Sequence, residues 1–195
     1  SEMCIRDSVK TVRMAAGPEV ELFIDANCSL DLYHARQLCQ MIEPFRIEFF
    51  EEPVTQNDVR QLSELRSQTT IRLACGQNEG QAYRFRDMMI AGAVDIIQPN
   101  VAITGGFTQC QKIAALANSF NIPVDNGGAW PFFNQHLQAG LSNGGLVEYH
   151  YSSVEVCKRL YIGLPEPKQG WLTMTDAPGL GFELNTAALS HFEID

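Results

Sequence analysis

Six short apolar runs, each breaking off into polar residues at nearly constant intervals, constrain this chain more than any other feature. They occupy 20–24, 46–50, 70–75, 93–97, 122–124 and 145–147. They end, in order, in Asp25-Ala26-Asn27, Glu51-Glu52-Pro53, Gly76-Gln77-Asn78, Gln98-Pro99-Asn100, Asp125-Asn126-Gly127 and Glu148-Tyr149-His150. β-branched and aromatic runs of this length, bounded by Gly, Pro and Asn, signal strands. Any one of them alone is equally compatible with a segment of buried helix. The spacing decides the matter: successive run ends lie 26, 26, 23, 25 and 23 residues apart.

Helix-like stretches fill the intervals. Residues 29–42 carry Leu32, Leu38 and Ile42 behind the capping candidates Ser29 and Asp31, and 57–66 place Val59, Leu62 and Leu65 at helical spacing. Residues 108–120 set Ile113, Leu116 and Phe120 on one face after a Gly-Gly turn. A strand plus a helix every ~25 residues is the βα unit, of which eight close a parallel barrel. Six are legible here. The expected fold is therefore α/β, a partial (β/α)8 TIM-type barrel running from about the third strand to the eighth over residues 9–185. Residues 1–8 show no hydrophobic periodicity and read as a foreign or truncated start, and 186–195 as a C-terminal tail.

Composition excludes several function classes. With 14 Lys and Arg against 23 Asp and Glu, the net charge is −9, a poor match to nucleic acid or an anionic membrane. No apolar run approaches the roughly 18–20 residues of a membrane-spanning helix. The six cysteines are scattered without a CxxC pair, as expected of reduced thiols in the cytoplasm.

In a parallel βα barrel, the active site forms where the strands end and the loops begin. There the chain carries Asp25-x-Asn27, Glu51-Glu52-Pro53, Gly76-Gln77-Asn78 and Gln98-Pro99-Asn100 followed by Gly105-Gly106; Gly170-Trp171-Leu172 and Pro178-Gly179-Leu180-Gly181 close it. This set resembles the enolase superfamily, in its mandelate racemase and acid-sugar dehydratase branch. The resemblance implies an N-terminal capping domain and two first strands, absent here, and homo-oligomeric assembly of the intact protein. It implies Mg²⁺-dependent removal of the proton next to a substrate carboxylate, the resulting enediolate being stabilised by the metal. By motif the metal ligands are Asp25, Glu51 and Gln77. The family has Glu where Gln77 stands, and Gln offers an oxygen without a charge; Glu79, two residues on, is the alternative ligand.

The same resemblance assigns Asn27 and Glu148 to the substrate; Asn27 is equally an Asx turn, and Glu148 a solvated strand-end charge. The acid–base groups are less complete. Asn100 stands where the racemase branch has an Asp holding a His, and 125–133 contains no His. His150 remains a further acid–base candidate, and the family's Lys-x-Lys is expected upstream of residue 1. Dehydration of an acid sugar is the expected reaction. Racemisation or epimerisation in the same superfamily, or non-catalytic binding of an acid sugar, are the alternatives.

Overall fold

A computed structural model describes residues 2–191. Six parallel strands form one sheet in sequential order: β1 (Leu22–Asp25), β2 (Ile47–Glu51), β3 (Arg72–Cys75), β4 (Ile96–Ile97), β5 (Val124–Asn126) and β6 (Gly144–Val147). Between them run α2 (Leu32–Ile42), α3 (Val59–Arg66), α4 (Ala82–Ile90), α5 (Gly106–Ser119) and α6 (Pro131–Ala139). Each parallel pair is thus joined by a helical crossover, giving six of the eight strands of a βα barrel, as expected.

Local chemistry accounts for the helix starts. Asp31 caps α2 by accepting the His34 N–H, and Asp58 caps α3 by accepting from Gln61, so these helices begin two or three residues later than periodicity alone indicates. Pro131 opens α6, where a missing N–H costs nothing. The main core lies between sheet and helices: Phe50, Leu73, Ile97 and Val124 from the strands meet Leu38, Leu62, Phe85 and Ile113 from the helices. Phe49, Ala74 and Ile96 form a smaller apolar layer from alternate strand positions. Glu51 follows Phe49 by two residues, so its carboxylate rises from that layer.

Two boundaries differ from expectation. The chain is helical from Glu2, as α1 (Glu2–Ala16), so residues 2–8 continue one element with 9–16; among the described side chains of this helix, only Val9 is buried in the core. β5 begins at Val124 and includes Asp125 and Asn126, both buried, because Asp125 Oδ1 accepts the Leu146 N–H of β6 at 2.7 Å. After β6 come α7 (Tyr151–Leu160), a short antiparallel pair β7 (Tyr161–Ile162) and β8 (Glu183–Leu184), and α8 (Thr186–His191). Edge-to-face contacts among Phe132, Phe133, Tyr161 and Phe182 tie this closing segment to α6. Among the described residues, no helix is long and apolar enough to cross a membrane.

Candidate active site

The parallel register brings the candidate carboxylates together. Asp25 is paired with Glu51 and Glu51 with Ala74, so the ends of β1, β2 and β3 lie level, and Gly76-Gln77 follows one step beyond. Asp25 is held by its own loop, its Oδ1 accepting the Asn27 N–H at 2.7 Å, with Asn27 in the left-handed region at φ 45°. That is the Asx turn, and it leaves the Asn27 side chain exposed beside the carboxylates.

Burial pushes the Glu51 carboxyl up to about 8, with Asp25, Glu148 and Glu52 adding like-charge repulsion and a hydrogen bond from Gln98 opposing it. Asp25 is also raised, by desolvation first and then by Glu52 and Glu148, while the Asn27 N–H pulls it down. Glu148 therefore joins the same acidic site, and its Oε2 also accepts the Ala129 N–H at 2.9 Å.

Gln77 is 6% exposed and its amide has a defined direction. Nε2 donates to Glu52 Oε2 at 3.0 Å, which leaves Oε1 on the side of Glu51. A β-carbon placed on Gly127 would lie 2.9 Å from Glu51 Oε1, 2.9 Å from Gln98 Nε2 and 3.1 Å from Gln77 Oε1. The three polar groups thus converge on the bare face of Gly127, and only glycine lets the chain pass so close to them. Among the described residues, no three His, Cys, Asp or Glu side chains are grouped to hold a metal ion. The donor set is instead two carboxylates and one amide oxygen, all hard oxygen donors. With a carboxyl raised by burial and repulsion, it suits a hard divalent cation.

Glu79 is directed elsewhere. Its carboxylate meets Arg84 Nε at 2.9 Å and Nη2 at 3.3 Å, which turns it away from the ligand role left open to it.

Asn100 is fully buried, and its Nδ2 lies 2.7, 2.9 and 3.1 Å from the carbonyl oxygens of Gly127, Gly128 and Ala129, while its Oδ1 accepts the Ala102 N–H. Both ends of the amide are consumed by backbone, so the catalytic placement expected for Asn100 gives way to a clamp on the loop after β5. An aspartate could not donate to these carbonyls. His150, the other acid–base candidate, is exposed and caps α7, its Nδ1 accepting the Ser153 N–H at 3.4 Å.

Several residues of the site carried no assignment in the sequence. Glu52 is wholly buried; its carboxylate accepts from Asn57 Nδ2, Gln77 Nε2 and Asn78 Nδ2. Gln98 reaches Glu51, and its Oε1 is buried without a hydrogen-bonding partner, as is Asn126 Oδ1. Asn134 braces the loop by donating to the Ala129 carbonyl and accepting from Val101. The only advance sign was that Glu52 and Gln98 stand within the strand-end motifs. A groove at the opposite ends of the strands, of about 460 Å³, is lined by Arg66, Arg72 and Asp95. Arg66 pairs with Asp95, and Arg72 with Glu48, so its charges are already matched.

Carboxylates and amides thus gather at the C-terminal ends of the parallel strands, where βα-barrel enzymes carry their active sites. The family follows from comparison: residues 5–188 match the enolase C-terminal domain-like family, and the chain belongs to it. It is 29% identical over 194 residues to a D-gluconate dehydratase of Thermoproteus tenax, covering 97% of this chain and 39% of that protein. An arabinonate dehydratase of Saccharolobus solfataricus is 28% identical over 192 residues, 96% of this chain and 51% of the relative. A mandelate racemase/muconate lactonizing enzyme from a marine actinobacterium, solved in complex with magnesium, superposes with a TM-score of 0.89 at 30% identity, over 98% of this chain and 54% of the other. The chain thus spans about half, or less, of the length of these relatives.

Proposed function

We propose that this chain supplies the metal- and carboxylate-binding part of a Mg²⁺-dependent acid-sugar dehydratase. The observation that carries the reading is the level register of Asp25 and Glu51, with the Gln77 oxygen beside Glu51 and Glu148 within electrostatic reach of both carboxylates. Asp25, Glu51 and Gln77 would hold the ion. When bound, it neutralises the negative charge that develops on a substrate carboxylate as the neighbouring proton leaves.

The chain's own side chains then divide the remaining work. Glu148 and the exposed Asn27 face a polar substrate, Asn27 through an amide that reads hydroxyl groups as donor and acceptor. Gln98 donates to Glu51 and steadies its orientation. Asn100 takes no part in proton transfer, because its amide is committed to three carbonyls of the 127–129 loop. Proton chemistry from that side is therefore unsupported, which favours elimination with a base on one face over racemisation, where a group on each face must act. The dehydratase relatives support this choice of reaction.

The test uses the intact protein with a panel of aldonic and aldaric acids, with Mg²⁺ or with excess chelator, following 2-keto-3-deoxy product. Metal-dependent keto-acid formation from at least one acid sugar is expected. Racemisation of a 2-hydroxy acid without any dehydration, in the same Mg²⁺ buffer, would overturn the assignment.

A further inference from the structure

The loop after β5 is bent in a way that its residues do not favour. Gly128, Ala129 and Trp130 all lie in the left-handed region, at φ 73, 69 and 60°. A residue other than glycine keeps this conformation only where the surroundings over-determine it. Two peptide units meet at Ala129, and each is held from outside the loop. The unit between 128 and 129 has Asn100 Nδ2 on its carbonyl at 2.9 Å and gives its N–H to Glu148 Oε2, also at 2.9 Å. The unit between 129 and 130 has its carbonyl held by Asn134 Nδ2 at 2.9 Å and by Asn100 Nδ2 at 3.1 Å.

Peptide units are planar, so only the two torsions of Ala129 relate one unit to the other, and fixing both units fixes the direction of the Ala129 N–H. Asn134 is fastened for this task. It is fully buried in the first turn of α6, its own N–H bonds to the Trp130 carbonyl at 3.1 Å, and its Oδ1 accepts the Val101 N–H at 3.0 Å. One end of its amide is therefore tied to the loop after β4 and the other to Ala129. The line ends on a single oxygen of Glu148: the Ala129 N–H takes Oε2, and among the described residues no donor takes Oε1.

We propose that Asn134 is a positioning residue for Glu148, acting through the Ala129 N–H to fix the rotation of the carboxylate and present Oε1 to the substrate as an acceptor. It makes no hydrogen bond to Asp25, Glu51 or Gln77, and Asn100 alone holds Gly127, so its action falls on the substrate side and not on the metal ligands. This inference rests on the proposal that Glu148 faces the substrate.

The experiment is a double-mutant cycle of Asn134→Asp and Glu148→Ala in the intact protein, with Leu137→Ala, a core exchange on the same helix, as the control for lost stability. Aspartate keeps the acceptor for Val101 and sets a carboxylate oxygen against the Ala129 carbonyl, which turns that peptide unit away. Asn134→Ala takes its place if Asn134→Asp does not fold. The readouts are kcat and KM on an acid sugar that the wild type dehydrates, Mg²⁺ affinity by titration calorimetry, and thermal unfolding. Asn134→Asp should raise KM about tenfold, the scale of one hydrogen bond to a charged group, with Mg²⁺ affinity unchanged. In the Glu148→Ala background the same exchange should leave KM where Glu148→Ala alone puts it. Leu137→Ala should lower the unfolding temperature without moving KM.

An unchanged KM in Asn134→Asp, an equal rise with and without the Glu148 carboxylate, or the same rise in Leu137→Ala would overturn the inference. So would a parallel loss of Mg²⁺ affinity. If the wild type dehydrates none of the aldonic and aldaric acids, the cycle is read in their calorimetric affinity with Mg²⁺ present. Coupling found there refutes the proposed reaction and leaves the positioning role standing, whereas a wild type that binds none of them overturns both.

Discussion

Replacing Asn100 by aspartate restores the residue that the racemase branch of the superfamily carries at this position, yet the structure predicts damage. The Asn100 amide nitrogen serves the carbonyls of Gly127, Gly128 and Ala129 at 2.7, 2.9 and 3.1 Å. Ala129 keeps a second donor, Asn134 Nδ2 at 2.9 Å, so the substitution strands the other two carbonyls. The Gly127 acceptor is buried and the Gly128 acceptor partly so; at about 1–3 kcal/mol for each, Asn100→Asp should cost ~2–6 kcal/mol. A carboxylate facing carbonyl oxygens has a raised pKa, and its protonated form donates one hydrogen bond. The folded variant therefore binds a proton more tightly than the unfolded chain. Its deficit should be smallest below pH 4 and grow as the pH rises through the raised value.

Trp130 ends the clamped loop and packs edge-on to Phe133, which makes it the reporter. Trp171 is the only other tryptophan, so a Trp171→Phe background isolates the signal in urea unfolding. Loss of activity is expected alongside loss of stability, because the loop sets Gly127 against Glu51 and Gln77. A variant within about 0.5 kcal/mol of wild type at pH 8, with an unchanged Trp130 spectrum, would refute the clamp.

Three further outcomes follow from the same geometry. Gly127→Ala puts a methyl group among Glu51 Oε1, Gln98 Nε2 and Gln77 Oε1, and should cost about 1–3 kcal/mol and weaken Mg²⁺ binding measurably by calorimetry. Asp25→Asn should weaken Mg²⁺ binding at least tenfold while Glu79→Gln leaves it unchanged, since Glu79 is spent on Arg84. The metal-free protein should lose stability as the pH rises from about 4.5 to about 8, because folded Glu51 holds its proton across that window at ~1.4 kcal/mol per pH unit; saturating Mg²⁺ should abolish the slope in thermal unfolding.

The barrel was legible because its signal is repetitive. Six polar-ended runs at near-constant spacing specify strand ends, and all six strands occur where they were read, within two or three residues. What escaped the sequence depends on contacts between units. Nothing in Val124-Asp125-Asn126 shows that Asp125 will be drawn into β5 by the Leu146 N–H, which lies 21 residues on. The helical start of α1 escaped because its apolar stripe, Ile5, Val9 and Val12, straddles the boundary placed after residue 8, and of these three only Val9 is buried. Site residues divide in the same way. Asp25 and Glu51 announce themselves at strand ends, whereas the orientation of Gln77 depends on Glu52, which is 25 residues earlier and indistinguishable in sequence from its neighbour Glu51. Nothing in the sequence marks His150 as the residue that caps α7, where its Nδ1 accepts the Ser153 N–H.

Asn100 and Gln77 share one physical logic. Gln77 stands where the family has a carboxylate and Asn100 where its racemase branch has one, and each exchanges a charge for a donor that organises something else. The acidic site already holds Asp25, Glu51, Glu52 and Glu148, and Glu51 is pushed up to about 8 before any further charge is added. Two more carboxylates would deepen that repulsion. With amides, Asn100 gathers three backbone carbonyls and Gln77 satisfies a buried glutamate, so both positions contribute to folding as well as to the shape of the site. On the proposed function, the consequence is a division of labour: attraction for a cation would fall to Asp25 and Glu51, and the amides fix where their neighbours point. Removing a charge at Asp25 should then act mainly on affinity, and removing an amide at Asn100 on stability and affinity together.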